Sequence, residues 1–321
     1  MDQLKKIKKG VFVVQTTPFN KDGSLDLEGM RANTRWLVER MAGKDFVLVP
    51  VGSTGEFYAM SEEENKAVIK MVVEETNGRL PVIAGTGRAG TIDTIKMCRY
   101  AESVGADGVQ VILPYYHIPE EEGLYQHYKQ IAESVNIGVM IYNNSAVSAS
   151  WIKPPLMARL AKIPNIISVK ENTPDVIAYN RMRRTVDPAD MVVLCGIGEL
   201  SFTFEALYGC PGFVSGAANF APDLSYSIYQ AAASRNFDRM CQLGDMIAVY
   251  FDFIGKMNAS YGPHVGIGSA PAASGYMYIG VIKAAMDILG LRGGEPRLPL
   301  IGLKEQDRAE LKEILKGMKL L

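Results

Sequence analysis

Histidine and cysteine are scarce in this chain, three and four among 321 residues, and the scarcity removes several kinds of chemistry. His117, His127 and His264 are far apart, with no His-Glu-x-x-His or His-x-His pattern, so nothing in the sequence asks for a metal and none is expected. Cys98, Cys195, Cys210 and Cys241 form no Cys-x-x-Cys pair, and their gaps suit neither zinc nor a disulfide framework. They are expected to be small buried hydrophobes in a reducing cytosol. Charge of one sign is also lacking: a net charge of −1 offers no basic field to nucleic acid. No apolar run approaches the roughly 20 residues of a transmembrane helix, so no membrane partner is expected. The basic start, Met1 to Lys9, precedes an apolar run that breaks at Gln15-Thr16-Thr17-Pro18, too early and too polar for a secretory signal. A cytoplasmic location is expected.

What is present is ordinary globular composition, 48% hydrophobic and 21% charged. Short β-branched runs alternate with helical patterns. The expected strands are Val11–Thr16, Asp45–Val51, Leu80–Gly85, Gly108–Leu113, Ile137–Tyr142, Ile166–Lys170, Met191–Cys195 and Gly212–Ser215. Near-continuous apolar runs suit parallel strands covered on both faces. Between them, Leu27, Met30, Leu37, Val38 and Met41 share a helical stripe, and Ser61-x-x-Glu64 is a capping box. Gly43, Gly105 and Gly209 each fall where a helix needs a left-handed C-cap before the next strand. Eight such βα units predict an α/β fold of the (β/α)8 TIM-barrel type over 1–225, in preference to an open doubly wound sheet. Gly85-Thr86-Gly87 lacks the third glycine of a dinucleotide fingerprint. From 226 to 321 the pattern is helical only, with candidates at Leu224–Ala233, Phe237–Ile254, Ala270–Leu289 and Lys304–Met318, read as a C-terminal extension packed on the barrel.

Reactive groups of a barrel sit at the carboxyl ends of its strands. The sixth run ends in Val169-Lys170-Glu171-Asn172, and a lysine in such a run is unusual. Removing an amine from water favours its neutral form, and a neutral amine adds to carbonyls to give a Schiff base. The alternative is a structural lysine that snorkels to a surface carboxylate. Neighbouring strand ends carry Gly52-Ser53-Thr54-Gly55-Glu56, a turn whose N–H groups could hold a carboxylate, then Pro114-Tyr115-Tyr116-His117 and Tyr142-Asn143-Asn144. Each is ordinary alone. Together they supply an amine and the hydroxyls that carry protons to and from a departing oxygen.

On Gly52-Ser-Thr-Gly-Glu56, Gly85-Thr-Gly87, Pro114-Tyr-Tyr116, Tyr142-Asn143, Val169-Lys170-Glu171 and Gly212-Phe-Val-Ser-Gly216, the chain resembles the dihydrodipicolinate synthase/N-acetylneuraminate lyase family of pyruvate-dependent class I aldolases. The resemblance implies an imine between Lys170 and a 2-oxo acid such as pyruvate, with no other cofactor. It implies Tyr142 as general acid/base, and Thr54 as the link from Tyr142 to Tyr116. Tyr116 would come from a neighbouring subunit of a homo-oligomer, usually a dimer of dimers. Ser53 and Thr54 would hold the carboxylate, and Val214 would line the methyl group.

Two departures bear on the second substrate. Synthases of the lysine precursor carry an arginine shortly after the fifth-strand tyrosine; here Val147 stands in its place and cannot form a bidentate pair with a carboxylate. Gly196-Ile197-Gly198-Glu199 has Gly198 where sialic acid lyases have aspartate. Asn143, Asn144, Glu199 and Asn219 remain as partners for a hydroxylated chain. The leading expectation is therefore aldol cleavage or dehydration of a 2-keto-3-deoxy sugar acid. The alternatives are dihydrodipicolinate synthase activity, condensing pyruvate with aspartate semialdehyde, and a non-catalytic 2-oxo-acid-binding protein. A metal-dependent barrel lyase is disfavoured by the scattered histidines.

Overall fold

A computed structural model describes residues 7–261 and 277–321. Its strands are β1 (Gly10–Val14), β2 (Phe46–Val49), β3 (Ile83–Gly85), β4 (Gly108–Ile112), β5 (Gly138–Asn143), β6 (Ile166–Glu171), β7 (Val192–Cys195) and β8 (Gly212–Ser215). They form one parallel sheet in the order β2-β1-β8-β7-β6-β5-β4-β3. A parallel bridge from Leu48 in β2 to Val82, just ahead of β3, brings the two ends together. The fold is thus the expected (β/α)8 barrel with helices beyond it.

The alternation of strand side chains divides the core in two. Phe12, Val14, Val47, Val49, Met140 and Leu194 fill the barrel interior. Val11, Val13, Leu48, Val109, Ile141 and Val193 face the surrounding helices. Those helices are Leu27–Met41, Glu62–Thr76, Thr91–Ser103, Glu121–Glu133, Pro154–Leu160, Val176–Thr185, Glu199–Glu205 and Pro222–Ala233. The capping box forms as expected: the Glu64 N–H donates to Ser61 Oγ at 3.1 Å and the Ser61 N–H to Glu64 Oε2 at 2.9 Å. Gly43, Gly105 and Gly209 all take positive φ, at 80°, 94° and 82°.

Helix Pro222–Ala233 packs on β1 and on helix Leu27–Met41, completing the eighth unit, so the division expected at 225 falls inside a helix. Beyond it lie helices Phe237–Ser260, Met277–Ile288 and Glu305–Gly317. The first runs past the expected end at Ile254, because Gly255 is accommodated within it at the modest cost of a mid-helix glycine. Part of the helix expected over Ala270–Leu289, and His264, lie outside the described residues. Among the described residues no helix is long and apolar enough to cross a membrane. Three cysteines are buried, but Cys241 is exposed: it lies on the solvent side of helix Phe237–Ser260, a correction to the expectation that all four are core residues.

β2 ends two residues earlier than expected because Val51 takes a φ of 62°, a strained value for a β-branched residue. The turn aims the Val51 carbonyl at Gly85, where a Cβ would stand 2.0 Å from that oxygen. Gly85→Ala is therefore expected to cost about 1–3 kcal/mol or more, read as a lower denaturant midpoint at unchanged slope.

Candidate active site

Lys170 and Tyr142 are register neighbours in β6 and β5. Their direction depends on an irregularity: the pairing slips between Val139↔Ile166 and Met140↔Ser168, leaving Ile167 as an extra residue. Strict alternation would put Lys170 on the face of Ile166, which packs against the helices. Ile167 enters the barrel interior as alternation requires, but the bulge then reverses the phase, so that Val169 returns to the helix side. Lys170 turns into the mouth of the barrel and Glu171 turns out. The lysine is 5% exposed, with Nζ 3.7 Å from the centroid of the Tyr142 ring. Among the described residues it has no carboxylate partner and no hydrogen bond. The snorkelling alternative is thereby set aside.

Around this amine lies a cavity of about 600 Å³. Ser53 and Thr54 form one side. The Gly55 N–H donates to the Gly52 carbonyl and the Glu56 N–H to the Ser53 carbonyl, both at 3.0 Å. This closes the turn and leaves the N–H groups of Ser53 and Thr54 without a backbone acceptor among the described residues. Val214 lines the floor and Asn144 the wall. The Tyr142 hydroxyl accepts from Asn144 Nδ2 at 2.7 Å, and not from Thr54, although Thr54 lines the same cavity.

Tyr116 is elsewhere in this chain. It is 81% exposed, sits edge-on to His117 with ring centroids 4.8 Å apart, and lines a separate surface depression with His127 and Pro119. Tyr115, not Tyr116, reaches the rim of the Lys170 cavity, against Phe57.

At the far end Glu199 is fully buried. Its Oε1 accepts from Ser215 at 2.5 Å and Ser225 at 2.6 Å, while Oε2 has no partner. Burial, opposed by these two hydroxyls, raises its pKa. The Tyr250 hydroxyl is likewise buried without a partner, and burial followed by the Glu199 charge pushes it upward. Both side chains line the cavity. Tyr250 escapes sequence reasoning because nothing near it in its long helix marks a site. Two asparagines expected to meet substrate do not. Asn143 is spent on Ile152 and on Glu171 Oε2, behind the barrel wall. Asn219 is spent on Val14, Thr16 and Gly216. Val147 does line the cavity, and among the described lining residues the charged ones are Lys170 and Glu199 alone. No group of three or more potential metal ligands occurs among the described residues.

A closed barrel whose mouth holds a buried, unpaired lysine against a tyrosine has the architecture of a Schiff-base lyase. The chain belongs to the dihydrodipicolinate synthetase family, whose model matches residues 7–250, and it is an enzyme of that kind, a lyase that forms an imine on a lysine. It is 34% identical over 313 residues to 4-hydroxy-tetrahydrodipicolinate synthase of Archaeoglobus fulgidus, covering 98% of this chain and 99% of that one. With the protein of the same name from Methanospirillum hungatei it shares 35% over 309 residues, 96% and 98% of the two chains. Among solved structures it resembles YagE, an Escherichia coli K12 prophage protein of the dihydrodipicolinic acid synthase family in complex with pyruvate. There the TM-score is 0.86 and the identity 29%, over 98% of this chain and 100% of that one. A pyruvate complex of dihydrodipicolinate synthase from Acinetobacter baumannii gives a TM-score of 0.83 at 31% identity, over 98% and 99%.

Behind the lysine two carboxyls are held in apolar surroundings. Glu171 accepts from Asn143 at 2.8 Å and Trp151 at 2.9 Å, yet burial raises it to about 7. Glu205 faces the Cys195 thiol and has no other partner among the described residues; burial, opposed by that thiol and aided by the Glu171 charge, raises it to about 8. Between the ordinary value of 4.5 and about 8, the folded form binds more protons at Glu205 than the unfolded form. Stability therefore falls as pH rises through that window, by up to about 1.4 kcal/mol per unit per carboxyl, and levels off above it. Glu205→Gln is expected to flatten the decline in urea midpoint from pH 5 to 8; an unchanged slope would assign the decline to other groups.

Proposed function

We propose that the chain performs imine-based aldol chemistry on pyruvate or a close 2-oxo acid, with Lys170 as the nucleophile. The observation that carries this is the buried lysine amine with no acidic partner, lying on Tyr142 in the barrel mouth. The turn at Ser53 and Thr54 would take the carboxylate on its two free N–H groups, setting the 2-oxo carbon toward Nζ. Attack gives a carbinolamine. Tyr142 delivers a proton to the departing hydroxyl and water leaves. The resulting iminium draws electrons from the adjacent carbon, which loses a proton to become the enamine that meets an aldehyde; the reverse sequence cleaves. The imine is its own electron sink, so this reading needs no metal or organic cofactor. Pyruvate in the complexes of the two solved relatives supports the first substrate.

For the second substrate, the names of the relatives favour condensation with aspartate semialdehyde over the sugar-acid chemistry expected from the sequence. One observation favours a neutral, hydroxylated partner instead. Val147 occupies the wall, and among the described lining residues no arginine faces the cavity to pair with a second carboxylate, while the lining includes Glu199 and Tyr250, whose buried Oε2 and hydroxyl have no partner among the described residues. The complete set of reactive residues speaks against a silent binding protein, which needs no proton carrier.

The reading includes a homo-oligomer in which Tyr116 serves a neighbouring subunit. Its 81% exposure, turned away from its own cavity, is the disposition that donation requires. A cytosolic location accords with four free cysteines.

Borohydride reduction in the presence of pyruvate is expected to leave a stable adduct on the wild type and none on Lys170→Ala, read by intact mass. An adduct that survives the substitution removes Lys170 from the reaction. Tyr142→Phe is expected to keep the fold and lower turnover about 10²–10⁴-fold; a rate near wild type excludes Tyr142 as the proton carrier. Pyruvate consumption with aspartate semialdehyde, set beside pyruvate release from 2-keto-3-deoxy acids and N-acetylneuraminate, decides the second substrate.

A further inference from the structure

Glu56 closes the glycine-flanked turn yet does not face the cavity. It takes a left-handed conformation, φ 56° and ψ 37°, uncommon for a residue with a side chain, and it is wholly buried. Its carboxylate is held from two sides by the C-terminal region. Lys283 Nζ lies 2.5 Å from Oε1, and the backbone N–H of Arg297 donates to Oε2 at 2.9 Å. Lys283 is itself 1% exposed and donates to the Glu295 carbonyl at 3.1 Å. Two cations lie over the Phe19 ring, Lys283 Nζ at 4.5 Å and the Arg297 guanidinium at 4.1 Å from its centroid. That guanidinium grips Glu64 and the carbonyls of Gly23 and Ala59, on both flanks of the turn. The segment that makes these contacts also walls the cavity, through Tyr278, Ile282 and Leu300.

A buried ion pair is weak evidence for stability, because desolvation opposes the attraction. This one joins the turn beside Lys170 to a part of the chain more than two hundred residues away. We propose that Glu56 and Lys283 are positioning residues for the substrate carboxylate: their ion pair sets the orientation of the Ser53 and Thr54 N–H groups, so that helix Met277–Ile288 governs 2-oxo-acid affinity without touching the substrate. The inference rests on the reading that this turn holds the carboxylate of the imine-forming substrate.

The test is borohydride trapping titrated with pyruvate. Lys283→Met is expected to raise the half-saturating concentration about 10- to 100-fold, the scale of an ångström-level misplacement, while trapping at saturation stays complete. A purely structural role would lower the melting temperature and leave half-saturation where it was. The control, Lys256→Ala, removes an exposed pair with Glu310 in the same region and is expected to change neither. Half-saturation within about twofold of wild type in soluble Lys283→Met overturns the inference, since uniform binding would then be intact. Should that variant be insoluble, Glu56→Gln/Lys283→Met leaves no unpaired buried charge and is judged by the same criterion. Insolubility of both variants would assign the pair to folding and overturn the inference as well. No adduct on the wild type at any pyruvate concentration would instead sink the imine reading on which the inference stands.

Discussion

A buried amine without an anionic partner is the feature around which this molecule is arranged. Most buried cations are paired, because the lost hydration has to be replaced. Lys170 lies against the face of Tyr142 and has no carboxylate partner among the described residues. Such an arrangement persists only where the surroundings hold it in place, and here they do so through β-sheet geometry. Parallel pairing brings Tyr142 and Lys170 level, and one extra residue at Ile167 turns the lysine inward. Ile167 fills the barrel interior in ordinary alternation from Ile166, and the direction of Lys170 follows from the single departure that comes after it.

Strain collects on the opposite side of the cavity. Val51 and Glu56 bracket the Gly52–Gly55 turn, and both take positive φ, conformations that cost free energy and last only when neighbours enforce them. The neighbour of Val51 is the bare backbone of Gly85; the neighbours of Glu56 are Lys283 and the Arg297 amide. The C-terminal helices are thus part of the cavity wall and of the support behind it.

The two parts of the cavity lining have different structural owners. Lys170, Tyr142 and the Ser53–Thr54 turn sit at strand ends, which a barrel holds rigidly. The rest of the cavity lining includes Val147, Glu199 and Tyr250, two of them on helices beyond the strand ends and one on the helix Phe237–Ser260 outside the barrel. Scaffold and specificity are separable in barrel enzymes for this reason.

Periodicity and composition were sufficient for the barrel. Apolar runs at regular spacing, a capping box at Ser61 and glycines at helix ends are local signals, each set by backbone geometry within a few residues. Lys170 was legible for the same reason, as a lone cation in an apolar strand. Lys283, in Ile282-Lys283-Ala284-Ala285-Met286, carries that same signal within a helix, but its partner lies at residue 56, and no local pattern reports a contact across that separation. Asn143 and Asn219 have the right chemistry for a sugar chain and the wrong surroundings, since backbone groups that a sequence does not display already occupy them. The bulge at Ile167 was likewise hidden, because it exists only in the pairing of two strands. What the sequence determined by itself was the repeating architecture and the kinds of reactive group available, both products of short-range order. Which way those groups point, which are already satisfied, and what holds the turn in place were decided by tertiary structure, because they depend on contacts between segments far apart along the chain.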